Sequence, residues 1–148
     1  RCWYGTTAEN CIGYFPGMSP CGGSWAMCKG LGLDLCGIAR MEALLRDERF
    51  LSRYFTPAEA AYVRSKGAGA AQTLAGLYAA KEAVLKALGV GIALPLREVE
   101  ICHAPGGQPQ VCLTGRAAEH LAAMGGGHFL LTITHEENTA AAAALWQA

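Results

Sequence analysis

Two carboxylates, each set alone into an otherwise apolar segment, are the first candidates for chemistry. Asp34 lies in KGLGLDLC and Glu82 in LYAAKEAVLKALG. Carboxylates suit Mg²⁺, which takes one or two of them and fills its other positions with water and substrate phosphate. Lys86 follows Glu82 by four residues in a helical pattern, so the two side chains share a face. Structural roles compete at each position. Asp34 can cap a helix starting near Gly37, and Glu82 with Lys86 can be a surface ion pair. The turn Gly89-Val90-Gly91 lets backbone approach a phosphate, yet a G-x-G is also an ordinary helix terminator. His135 ends the run TITH, and an isolated histidine is more often structural than a ligand contact.

The seven cysteines are the other reactive group. Cys2, Cys11, Cys21 and Cys28 crowd the start of the chain beside Trp3 and Trp25, with Arg1 and Glu9 the only charges before Met27. Structural zinc needs a close cysteine pair to place two thiolates on one ion. Gaps of eight, nine and six residues do not supply one. An odd count in a chain of 148 residues does not read as the disulfide framework of a small secreted domain either. A reduced, cytoplasmic protein is the expectation. Cys36, Cys102 and Cys112 fall on predicted strands and read as small core residues. Residues 1–26 lack any apolar period and are expected to form a Cys/Gly-rich extension outside the fold, leaving 27–148 as the domain. Met18 and Met27 are both candidate starts.

Composition bounds the remaining classes. A length of 148 residues makes one domain. Apolar residues at 52% and charged residues at 16% allow a packed core and exclude a disordered chain. Twelve basic and twelve acidic side chains cancel, which argues against a nucleic-acid binder. No apolar run approaches the roughly 20 residues that cross a bilayer, and no secretory signal opens the chain.

The elements that must position the candidates follow from periodicity. Lys29–Cys36 alternates, with Leu31, Leu33 and Leu35 on one face and Gly32, Asp34 and Cys36 on the other. Helical spacing runs from about Ile38 to Tyr54, with Arg40, Arg46, Arg49 and Arg53 between the apolar positions. Thr56-Pro57-Ala58-Glu59 is a capping box with proline at the first helical position, which starts a second helix ending near Gly67. The longest helix spans about Ala70–Leu88, with Leu74, Leu77, Tyr78, Lys81, Val84, Leu85 and Leu88 on one broad side. Strands are expected at Leu96–His103, Gln110–Thr114, Phe129–His135 and Thr139–Trp146, and a helix at Arg116–Met124. Ala140–Ala144 has helix propensity, but its place after the Glu136–Asn138 turn makes it a hairpin strand. The class is α+β, with a mostly antiparallel sheet and a long central helix.

Three segments together resemble one family: GLGLDLCGIARME, the stretch FTPAEAAYVRS with AGLYAAKEAVLKALGVGI, and TITHEENTAAAA. Over residues 27–146 they are similar in order and interval to the holo-acyl-carrier-protein synthases, the small 4′-phosphopantetheinyl transferases. The specific signal is G-x-D joined to a downstream aromatic-x-A-K-E-A-x-x-K-A. The resemblance implies Mg²⁺-dependent transfer of the phosphopantetheine arm of coenzyme A to a serine of apo acyl carrier protein. Adenosine 3′,5′-bisphosphate leaves, in a step of fatty acid biosynthesis. It also implies a homotrimer with active sites between subunits.

Carried over by position, Asp34 and Glu82 match the metal-binding pair, and Lys86 the lysine near the reacting phosphate. Splitting a pyrophosphate calls for such charge neutralisation. The attacking serine belongs to the partner, and its proton passes to a metal-bound water or to Glu82. Gly89, Gly91 and His135 match positions near coenzyme A. Arg40 and Arg49 match positions that meet the acidic carrier, for which a neutral protein needs a local basic patch. Alternatively, Arg46 and Arg53 belong to a solvated helix face partnered by Glu42, Asp47 and Glu48. Leu77 stands where the family often has a basic residue, and Gly37 where it often has an acidic one. A competing reading is a non-catalytic carrier-binding module of the same fold. Another makes the cysteine-rich head a metal or redox regulator.

Overall fold

The computed structural model describes residues 27–148. The expectations for residues 1–26, a head outside the fold without zinc, lie outside the described residues. In chain order the elements are β1 (Cys28–Gly37), α1 (Ile38–Leu44), α2 (Glu48–Tyr54), α3 (Pro57–Ser65), α4 (Ala70–Ala87) and β2 (Val99–His103). There follow β3 (Pro109–Leu113), α5 (Gly115–Ala123), β4 (His128–Glu136) and β5 (Thr139–Gln147). The fold is α+β in one domain, and every ladder is antiparallel. The strands form two sheets rather than one: β1-β5-β4 and the separate hairpin β2-β3.

α4 is the axis of the molecule. Leu74, Ala75, Ala79, Ala80, Ala83, Val84 and Leu85 are fully buried, and β1, β5 and β4 lie against it. β5 is the central strand, so hydrogen bonds on both of its edges outweigh the helix preference of its alanines. Ala140, Ala142, Ala144 and Trp146 alternate inward, and the small side chains let the sheet approach the helix closely.

The same closeness decides which face of β1 is covered. A Cβ on Gly32 would lie 1.9 Å from Ala83 O, and one on Gly30 would lie 2.0 Å from Ala87 O. Only glycine permits that approach, so the face carrying Gly30, Gly32, Asp34 and Cys36 is pressed onto α4. The leucine face points away, leaving Leu31, Leu33 and Leu35 67%, 59% and 65% exposed. Leu130 on β4 is exposed as well, and Ala143 and Leu145 join a shallow apolar hollow between the strands.

Two expected elements are divided. The helical spacing from Ile38 to Tyr54 is broken, because Asp47 caps a new helix by accepting from Arg49 N and Phe50 N. The strand expected from Leu96 starts only at Val99, since Leu96–Glu98 is a 3₁₀ turn following Pro95. The capping box at Thr56 is formed in both directions.

That box leads into a buried ion pair. Glu59 Oε2 accepts from Lys81 Nζ at 2.8 Å, and Glu59 Oε1 accepts from Ile101 N. Lys81 donates further to Leu96 O and Val99 O and has no solvent exposure. Burial pushes the Lys81 ammonium below its ordinary value, and Glu59 pulls the other way. Every donor of Lys81 has a partner, so the pair ties α3, α4 and β2 together.

Candidate active site

Pressing β1 onto α4 sets Asp34 beside the last turns of that helix. Lys86 Nζ donates to Asp34 Oδ1 at 2.7 Å and to Leu33 O at 3.0 Å. The lysine side chain is 47% exposed and that of Asp34 17%. Lys86 therefore bridges to the strand instead of pairing with Glu82 along the helix. The capping alternative for Asp34 fails too, because Gly37 caps α1 with no side-chain hydrogen bond.

Glu82 is half-buried one turn before Lys86. Its carboxyl is held above the ordinary value, first by burial and then by the charge of Asp34, against the lowering influence of Lys86, Tyr78 and Arg40. Two carboxylates close enough to repel, one of them poorly solvated, form a site that a cation relieves. Tyr78 lies a further turn back, and burial followed by the Glu82 charge holds its phenol above the ordinary value. The guanidinium of Arg40 on α1 sits 5.7 Å from the centre of the Tyr78 ring. In the sequence Tyr78 lies on the apolar side of the helix and is the aromatic of the aromatic-x-A-K-E-A motif. No local pattern announces that it shares a cleft wall with Glu82.

A cleft of about 440 Å³ opens beside Glu82 and Tyr78, walled by Arg53, Tyr54 and the Ala93–Leu96 segment. Gly89 (φ 72°) ends α4: Gly89 N donates to Lys86 O and Val90 N to Leu85 O, the paired bonds of a Schellman cap. Gly91 is also left-handed (φ 54°), and the space above both glycines is open.

His135 is not part of this cluster. It lines a second cleft, of about 320 Å³, with Tyr62, Lys66, His103 and Pro109. There His103 stacks on Tyr62 at 4.2 Å, and Lys66 Nζ lies 4.2 Å from the same ring centre. Burial pushes the His103 imidazole down, and the Lys66 charge adds to that. Gly76 and Leu77 of α4 reach this cleft, one residue from Tyr78. Leu77 is also a core residue, so the departure at that position serves packing.

Arg40 is exposed at the edge of the carboxylate cluster, whereas Arg49 is exposed on α2. Among the described residues none of Arg40, Arg46, Arg49 and Arg53 makes an ion pair. Glu48 is taken by Arg64 instead, at 2.7 Å, and Asp47 caps α2. The core reading of the strand cysteines holds for Cys36 alone. Cys102 is half-buried and Cys112 exposed, because their face of the hairpin is turned to solvent. Among the described residues no three His, Cys, Asp or Glu side chains gather as a metal cage.

The sequence model of the 4′-phosphopantetheinyl transferase superfamily matches residues 30–144, which contain the carboxylate pair, Lys86 and both clefts. The chain belongs to that superfamily. Within it, the chain is 43% identical to the holo-acyl-carrier-protein synthase of Treponema denticola over 117 residues, 78% of this chain and 95% of the relative. It is thus a member of the holo-acyl-carrier-protein synthase family and an enzyme of the transferase class. Solved structures agree. The synthase of Neisseria meningitidis superposes with a TM-score of 0.75 at 28% identity, covering 82% of this chain and all of its own. That of Helicobacter pylori, in complex with coenzyme A, gives 0.69 at 28% identity, covering 78% of this chain and 98% of its own.

Proposed function

We propose that this protein transfers the 4′-phosphopantetheine moiety of coenzyme A to a serine of apo acyl carrier protein and releases adenosine 3′,5′-bisphosphate. The observation that carries the reading is the meeting of Asp34, Glu82 and Lys86 where β1 crosses α4, beside an open cleft. The coenzyme A complex of the Helicobacter pylori relative supports the donor substrate.

Asp34 and Glu82 would hold Mg²⁺, and they fit it: both are hard oxygen donors, mutually repelling and partly desolvated. When bound, the ion offsets charge on the pyrophosphate oxygens. The chain's own groups do the rest. Lys86 is exposed enough to turn its ammonium from Asp34 toward the phosphate as charge develops there. The raised carboxyl of Glu82 is suited to take the proton of the attacking serine. Tyr78 lines the cleft beside Glu82. The serine oxygen bonds to phosphorus, the pyrophosphate P–O bond breaks, and the bisphosphate departs.

Gly89 and Gly91 offer uncrowded backbone to coenzyme A, and His135 meets it from the second cleft. Arg40 and Arg49 receive the acidic carrier. The exposed leucines of β1 are read as the contact of a homotrimer, since apolar faces of this kind are covered in assemblies. No helix among the described residues is long and apolar enough to cross a membrane, and we place the enzyme in the cytoplasm. The transferase domain is residues 27–148. Mass spectrometry of an apo carrier protein incubated with the chain, coenzyme A and Mg²⁺ tests the reading. A phosphopantetheine adduct on serine is expected, and its absence with several carriers would leave a carrier-binding module instead.

A further inference from the structure

Cys102 and Cys112 stand on adjacent strands of the β2–β3 hairpin, diagonal in register: Cys102 lies opposite Gln110, and Cys112 opposite Glu100. Period-two alternation puts both on one face, and their Sγ atoms are 2.9 Å apart. A disulfide holds its sulfurs about 2.05 Å apart, so closing the bond brings these two together by under about 1 Å. Their environments differ. Cys112 is exposed and lines the groove between β3, α5 and β4. Cys102 is half-buried, and its thiol is pushed up to about 12 by burial and by its contact with Cys112. Neither cysteine has a role in the transfer reaction.

We propose that Cys102 and Cys112 form a redox modification site, two thiols that close to a disulfide across the hairpin when a hydroperoxide reaches them. Cys112, the accessible thiol, reacts first. Its thiolate attacks one peroxide oxygen, the O–O bond breaks, and sulfenic acid and water form once a proton is taken up. The Cys102 sulfur then attacks the Cys112 sulfur. The S–O bond breaks, the S–S bond forms, and the hydroxyl leaves as water with the proton of Cys102. Two thiols lose two electrons in all, and one hydrogen peroxide becomes two waters. A dithiol reductant returns both thiols. The hairpin that carries the pair also supplies His103, Gly107 and Pro109 to the cleft of His135. The modification therefore stiffens one wall of that cleft.

Trypsin releases residues 98–116 as one peptide with both cysteines, because it cuts after Arg97 and Arg116 and nowhere between. The full chain is treated with hydrogen peroxide, alkylated, digested and weighed. The expected peptide is lighter by two hydrogens and carries no alkyl group. Treatment with dithiothreitol before alkylation restores two alkylation sites. Cys112→Ser is expected to leave Cys102 reduced and alkylated under the same conditions. Cys102→Ser is expected to gain oxygen on Cys112 instead, for want of a resolving thiol. Two alkylated cysteines after peroxide in the wild-type chain would overturn the proposal. So would oxygen adducts without loss of hydrogen, or a disulfide from Cys112 to any other cysteine.

Discussion

Lys86 Nζ reaches across from α4 to Asp34 Oδ1 at 2.7 Å and leaves Glu82, its neighbour one turn back, unpaired by any lysine. The consequence is a triangle in which one cation faces two half-buried carboxylates. Glu82 is half-buried, and its carboxyl bears the repulsion of Asp34.

Glu82→Gln preserves shape and helix propensity while removing the charge. The transfer rate is expected to fall by about two to three orders of magnitude, the scale of losing one electrostatic stabiliser. Added Mg²⁺ should recover part of the loss through Asp34. Asp34→Asn should behave alike, with the double variant little worse than either, because the two act as one unit. Near-normal turnover of Glu82→Gln at limiting Mg²⁺ would remove the metal assignment.

Stability of the metal-free protein should move in the opposite direction. The folded pKa of Glu82 lies above its ordinary 4.5, so the protonated form is favoured by folding. That contribution is whole below 4.5 and is lost as pH rises through the raised value. Glu82→Gln does not titrate. Its melting temperature is expected to match wild type at low pH and to equal or exceed it at neutral pH, as read by calorimetry across the range.

The two lysines of α4 should separate cleanly. Lys81→Met strands the buried Glu59 carboxylate and is expected to cost about 3–5 kcal/mol in urea unfolding. Lys86→Met breaks a partly exposed pair and should cost less than about 1 kcal/mol while abolishing most activity. A stability loss at position 86 as large as that at 81 would contradict the roles given to them.

Leu33→Glu places a charge in the centre of the open leucine face of β1. Sedimentation should show a wild-type trimer and a folded monomer for the variant, with activity lost along with the shared site. A wild-type monomer with full activity would dismiss the assembly.

Arg40→Glu should weaken carrier binding several-fold without dispersing the trimer, and the loss should shrink as salt is raised. Calorimetric titration at two ionic strengths measures both. Unchanged affinity would free the patch of its assignment.

A chain beginning at Met27 is expected to fold and transfer normally, since β1 starts at Cys28 and Met27 O accepts from Ala148 N to close the sheet. Insoluble or inactive protein would make the head part of the domain.

Local physics wrote much of this into the sequence. The capping box at Thr56 is satisfied within four residues, α4 carries its own periodicity and terminator, and β1 declares its alternation. The candidate triad was legible because charges within apolar segments stand out. Asp47 shows where that reading stops, since periodicity alone cannot tell a continuous helix from two when a capping side chain intervenes. Tertiary structure decided which face of β1 is buried, because Gly30 and Gly32 admit the helix backbone more closely than leucine would. It also chose Asp34 over Glu82 for Lys86, Glu59 for Lys81, and a separate cleft for His135. Each of those partners is distant along the chain, and only packing brings them within reach.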